Sequence, residues 1–149
     1  MVTVTLDSDY GYVILAATST FVLNFMHGIN TGRYRKAAKV DYPAAYAPTS
    51  RTDPEAHRFN CAQRAHANFT ENHSVAVSAL LISGLQFPKI AALLGGAWTV
   101  SRWVYMKGYS RGDAGGKGRY KGISFWLFQL GLMGLCGWTG VGMLLEGRK

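Results

Sequence analysis

The chain has 149 residues, 48% of them hydrophobic and 13% aromatic, with a formal net charge of +8. A mean hydropathy of +0.03 averages very apolar blocks with very basic ones, and the apolar blocks leave no soluble domain that could present a basic face to nucleic acid. The two cysteines, Cys61 and Cys136, and the four histidines, His27, His57, His66 and His73, have no metal-ligand spacing, so the thiols read as packing groups and no metal is expected.

A short acidic tail with Asp7 and Asp9 precedes an uncharged run from Tyr10 to Asn30. That is about the twenty residues needed to cross a hydrocarbon core. It is too long, and follows the wrong charge, for a cleavable signal. The next loop is basic, with Arg33, Arg35, Lys36, Lys39, Arg51 and Arg58, and holds Pro43, Pro48 and Pro54. A second helix is expected from Phe59 to Leu85, apolar from Val75 onward and polar in its first half. Its two glycosylation-type triplets, at Asn68 and Asn72, lie inside the helix and are discounted. Pro88 starts a third helix, apolar from Ile90 to Ser101 and continuing through Arg102 to Tyr109. After a loop with Arg111, Lys117, Arg119 and Lys121, the uncharged Ile123–Leu145 segment makes a fourth span. Its glycines suit close helix packing. The expected fold is all-α, an integral membrane four-helix bundle of one domain over residues 1–149, with helices near 10–31, 59–85, 88–110 and 119–145.

Loops one and three carry the positive charge, so the positive-inside rule places both in the cytosol, with Arg148 and Lys149 as a mild exception. The polar half of the second helix then demands explanation. Ionisable groups at a helix centre each cost about 2.5–3.5 kcal/mol on insertion scales, so a segment that keeps several aims them at a partner, a cavity or a ligand. Arg64, Asn68 and Glu71 fall at i, i+4 and i+7, one face of a helix. Arg102, Tyr105 and Tyr109 repeat the arrangement at i, i+3 and i+7 near the same membrane face. One explanation is structural: Glu71 neutralises Arg64 or Arg102, and the tyrosines anchor the interface. The other is a ligand with carboxylates for Arg35 and Arg64, an amine for Glu71, and amide groups for Asn68 and the tyrosines. A small anionic peptide has that inventory.

The segment from Phe59 to Asn68, followed by Glu71, resembles the second-helix signature of the membrane-associated proteins in eicosanoid and glutathione metabolism, most nearly the type 3 microsomal glutathione transferases. Tyr10-Gly11-Tyr12-Val13, Lys39-Val40-Asp41-Tyr42-Pro43 and the run from Arg102 through Tyr105 to Gly108-Tyr109 are similar to the same family in order and spacing. The resemblance implies a homotrimer in the endoplasmic reticulum or a mitochondrial membrane. Glutathione would lie between subunits, and a lipophilic electrophile or lipid hydroperoxide would enter from the bilayer.

By the same resemblance, Arg64, Asn68, Glu71, Tyr105 and Tyr109 bind glutathione from one subunit, while Arg35 and His66 reach in from its neighbour. Arg119, with Lys117 as the alternative, holds the sulfur as thiolate. Lys36 stands where leukotriene-synthesising members have their proton donor, and keeps that charge without the planar fork of an arginine. Asn72 and His73-Ser74-Val75 depart from the pattern on the lipid side, and the chain ends at Lys149 without the cysteine-bearing tail of animal type 3 proteins. The expected activity is glutathione transfer to lipophilic electrophiles or peroxide reduction. The competing expectation is a non-catalytic lipid-binding scaffold or an accessory subunit of a larger membrane complex.

Overall fold

The computed structural model describes residues 6–146, so the expected charge exception at Arg148 and Lys149 lies outside the described residues. These residues form α1 (Tyr10–Ala38), α2 (Pro54–Gly84), α3 (Pro88–Tyr109), a 3-10 segment (Ala114–Gly122) and α4 (Phe125–Glu146). No strand occurs among them.

Helix α1 continues beyond its expected end near residue 31, because Arg33, Arg35, Lys36 and two alanines are good helix formers that need no burial. Its 29 residues span about 43 Å. That exceeds a hydrocarbon core of about 30 Å and lets the basic last turn stand clear of it. Arg35 and Lys36 in that turn complement the negative end of the helix dipole. Lys39 then stops the helix in the left-handed region, at φ 51°. Helix α2 likewise begins earlier than Phe59. Asp53 accepts a hydrogen bond from the Ala56 N–H at 3.0 Å, Pro54 occupies the first turn and Glu55 adds its charge there, the three signals of a helix start.

The fourth helix starts later than expected. Residues 114–122 form the 3-10 segment, which is kinked where Gly115 and Gly116 take positive φ values of 65° and 67°, a conformation that glycine adopts without steric cost. The segment lies directly on α3. A Cβ at Gly118 would run into the Gly108 carbonyl, and one at Gly122 into the backbone of Ser101 and Tyr105. The short connection through Gln86 and Phe87 folds α3 back along α2, with the Phe87 N–H bonded to the Ser83 carbonyl at 2.9 Å.

Helix α1 packs on α2 and α3, α2 on α3 and α4, and α4 on α3. One apolar cluster joins Val13, Ala16, Leu80, Ala91 and Leu132 from all four α-helices. A second, nearer the loops, joins Leu23, Phe69, Trp98, Tyr105 and Phe125. A third, built on Val40, Ala47 and Phe59, folds the first loop against α2. The outside of the bundle is apolar as well: Phe25, Leu93, Leu127 and Leu144 are each about 70% exposed. Helices α1 and α4 are long and apolar enough to cross a membrane. Helix α3, with 22 residues, has the length of a span but carries Lys89, Arg102 and Lys107.

Candidate functional site

The stripe on α2 is assembled as its spacing requires. Arg64 Nη1 donates to Glu71 Oε1 at 2.7 Å and Nη2 to Oε2 at 3.4 Å, with both side chains about half exposed. Between them Asn68 Oδ1 accepts from Arg102 Nη1 at 2.8 Å, which ties the α2 stripe to the one on α3. Arg102 is fully buried. Its guanidinium carbon lies 4.2 Å from the ring centre of Phe125 and 4.7 Å from that of Tyr105. Cation–π attraction of this kind partly offsets the loss of water around a buried cation.

Arg64, Asn68, Tyr105, Tyr109 and Arg119 line one half-open cavity of about 260 Å³, whose wall is completed by Tyr120, Ile123, Phe125 and Trp126. It lies near the lower end of small-molecule pockets, about 300–1,000 Å³. Its walls come from α2, α3, the 3-10 segment and the start of α4. The Tyr105 ring stands edge-on to Tyr109 and to Phe125, with 5.6 Å between centres in each case. Arg119 Nη2 donates to the Tyr120 hydroxyl at 3.0 Å. The hydrogen bond to Tyr120, and after it the nearby Tyr109 hydroxyl, raise the guanidinium pKa above its ordinary value, and Arg119, like any arginine, is a permanent cation at the cavity wall.

The other expected site residues lie elsewhere in the chain. Arg35 is buried at the end of α1, where Nη1 donates to the Ala44 carbonyl at 2.6 Å and its guanidinium lies over the rings of Tyr42 and Phe59. In a single chain it organises the first loop. His66 stacks on His27, with 5.7 Å between ring centres, on a different side of α2 from Arg64. Lys36 is exposed on the last turn of α1, and Lys117 is exposed on the 3-10 segment. Arg119 faces the cavity and Lys117 does not line it.

The support behind the stripe was not visible in the sequence. Trp98 Nε1 donates to Gln129 Oε1 at 3.1 Å, Gln129 Nε2 to Asn72 Oδ1 at 3.3 Å, and Asn72 Nδ2 to the Asn68 carbonyl at 2.9 Å. The available signal was Gln129, a lone amide in an otherwise apolar span, a residue type that marks interhelical bonding. Farther along the α2–α4 seam, Ser74, Val75, Ser78, Ile82, Met133 and Cys136 line an open, mainly apolar groove of about 570 Å³. No cluster of His, Cys, Asp and Glu suited to a metal ion occurs among the described residues.

The model of the MAPEG family matches residues 13–141. This range holds every residue of the cavity and nearly the whole of the four α-helices that frame it, and the chain belongs to that family.

Proposed function

We propose that the protein is a membrane-bound glutathione transferase and peroxidase, most similar within its family to the type 3 microsomal glutathione transferases. The family includes glutathione-using transferases and peroxidases and also non-catalytic members. Its apolar helices α1 and α4, together with that membership, make the chain an integral membrane protein. The observation that carries the proposal is the meeting of Arg64, Asn68, Tyr105, Tyr109 and Arg119 in one cavity. Helical spacing or the family resemblance points to each of the five.

In this reading Arg64 and Glu71 exchange their mutual contact for the carboxylate and amine of glutathione, and Asn68 and the tyrosines bind its amides. A half-exposed ion pair of this kind contributes only about 0–1 kcal/mol, so a charged ligand can readily replace it. Arg119 stabilises the thiolate. A free thiol has a pKa near about 8.5, and lowering it by about two units requires roughly 2.7 kcal/mol and makes the thiolate the major form at neutral pH. With an epoxide, the thiolate forms a C–S bond as the C–O bond breaks, and the alkoxide takes a proton. With a hydroperoxide, the thiolate sulfur forms an S–O bond to the terminal oxygen as the O–O bond breaks, the departing alkoxide takes a proton to become the alcohol, and a second glutathione displaces hydroxide from the resulting sulfenic acid to give the disulfide and water. The proposal extends to a homotrimer in the endoplasmic reticulum with loops one and three in the cytosol, in which Arg35 and His66 serve a neighbour's site. Lys36 would protonate the alkoxide where an epoxide lipid is the substrate.

The test is turnover of glutathione with lipid hydroperoxides and epoxides by the purified protein. Arg119→Ala should remove most turnover and leave glutathione binding within about threefold, because the lost interaction acts mainly in the reacting state. Activity that survives both Arg119→Ala and Lys117→Ala would overturn the assignment. The pairing of Arg64 with Glu71 favours a second reading, a lipid-binding scaffold whose charges satisfy each other. An intact oligomer that turns over no electrophile would establish that reading instead.

A further inference from the structure

Of the lysines and arginines among the described residues, Arg102 alone has no exposed surface. Among the described residues it has no carboxylate partner, and its Nε and Nη2 find no hydrogen-bond partner there. Such a group is costly to bury. Its one hydrogen bond runs from Nη1 to Asn68 Oδ1 at 2.8 Å, and Asn68 lines the candidate glutathione cavity.

That bond has a direction that chemistry fixes. A guanidinium only donates, so the oxygen of the Asn68 amide is the atom that must face Arg102. The NH₂ group is thereby turned to the other side. The backbone at Asn68 is held as well, since its carbonyl accepts from Asn72, which accepts from Gln129, which accepts from Trp98. Every donor in this network points toward Asn68, and both of its oxygens are engaged.

We infer that Arg102 is a positioning residue that locks the Asn68 amide with its NH₂ group toward the cavity. At that place the site therefore reads a hydrogen-bond acceptor of the ligand, a carboxylate or peptide carbonyl oxygen. This rests on the glutathione reading above. It adds a polarity to the site: the cavity wall offers donors and cations at Asn68, Arg64 and Arg119, and a ligand group that can only donate is rejected beside Asn68.

The experiment measures glutathione binding by equilibrium dialysis, thermal unfolding and steady-state kinetics on the full-length protein in detergent. Asn68→Asp gives Arg102 a carboxylate, so the fold should be kept, but it replaces the cavity-facing donor with an acceptor. Its affinity for glutathione should fall by about 30-fold or more, because a polar site rejects a mismatched group strongly. Arg102→Leu frees the amide to rotate and should raise Kd and KM for glutathione about tenfold while leaving kcat near wild type, since the lost contact is made equally in the bound and reacting states. If Arg102→Leu fails to fold, Arg102→Lys, whose ammonium also only donates and whose stem is the nearest in length, should keep the affinity within about threefold. Arg102→Leu combined with Asn68→Ala should bind no worse than Asn68→Ala alone. Wild-type affinity in Asn68→Asp, or losses that multiply in the double variant, would overturn the inference alone. A wild-type protein that binds no glutathione would overturn the reading beneath it.

Discussion

Gly122 is where one methyl group should silence the site without touching a ligand. A Cβ there would lie 2.8 Å from the Tyr105 Cα and closer still to the Ser101 carbonyl and Tyr105 amide. Carbon–carbon contacts settle at about 3.5–4.0 Å, so the 3-10 segment and α3 would have to part by about 1 Å. These obstacles are backbone, with no flexible tip to yield, and overpacking of this kind costs about 1–3 kcal/mol. The two elements that separate are those that carry Arg119 and the pair Tyr105 and Tyr109. A misplacement of about 1 Å costs about 100-fold in rate. Gly122→Ala should therefore lose about 100-fold in glutathione turnover and show a lower unfolding temperature. Gly134→Ala in α4 is the control: among the described residues nothing outside its own stretch of helix lies within 4 Å of the added methyl, and a helical glycine-to-alanine change stabilises by roughly 0.5–1 kcal/mol. Turnover in Gly122→Ala within twofold of wild type would refute the claim that this backbone contact sets the cavity.

Three further outcomes are expected. The pH–rate profile of the wild-type protein should rise through a pKa about two units below that of free glutathione, and Arg119→Ala should return it to about 8.5; an unshifted profile would dismiss Arg119 as the thiolate partner. Trp98→Phe keeps the ring but removes the donor to Gln129, so Gln129 Oε1 loses its partner and stability should fall by about 1–3 kcal/mol, read as thermal unfolding in detergent. The Arg51 guanidinium, then the Ala56 N–H, hold the Asp53 carboxyl well below its usual range, at about 2. Its folded pKa is depressed, so its stabilising contribution is complete above the unfolded value of about 3.9 and lost as pH falls toward about 2. Unfolding temperature measured from pH 5 to pH 2 should fall less steeply in Asp53→Asn than in wild type.

The elements that follow simple periodicity were legible in the sequence, and those set by close backbone contact were not. Arg64 and Glu71 lie on one face because helical geometry alone puts them there, and the same holds for Arg102, Tyr105 and Tyr109. The start of α2 at Pro54 was legible in principle from Asp53-Pro54-Glu55, but the apolar pattern begins only at Phe59, because the first turn of the helix is held by its caps more than by burial. The late start of α4 depends on Gly108, Gly118 and Gly122 meeting backbone from elsewhere in the chain, which no local pattern records. Arg102 illustrates the limit most clearly. Its spacing placed it on the right face, yet its complete burial and its bond to Asn68 depend on Phe69, Trp98 and Phe125, which come from three helices.

The network that ends at Gln129 also bears on how the protein is built in a membrane. Helix α4 is long and apolar enough to cross a membrane. Yet Gln129 gains its two partners from Trp98 on α3 and Asn72 on α2, and those stand together only after the α2–α3 hairpin has closed. Without water in the bilayer, an unmatched amide biases helices toward association. Biogenesis then has a natural order: the hairpin first, then α4, whose single amide fixes its rotation and depth and completes the wall that carries Phe125 and Trp126.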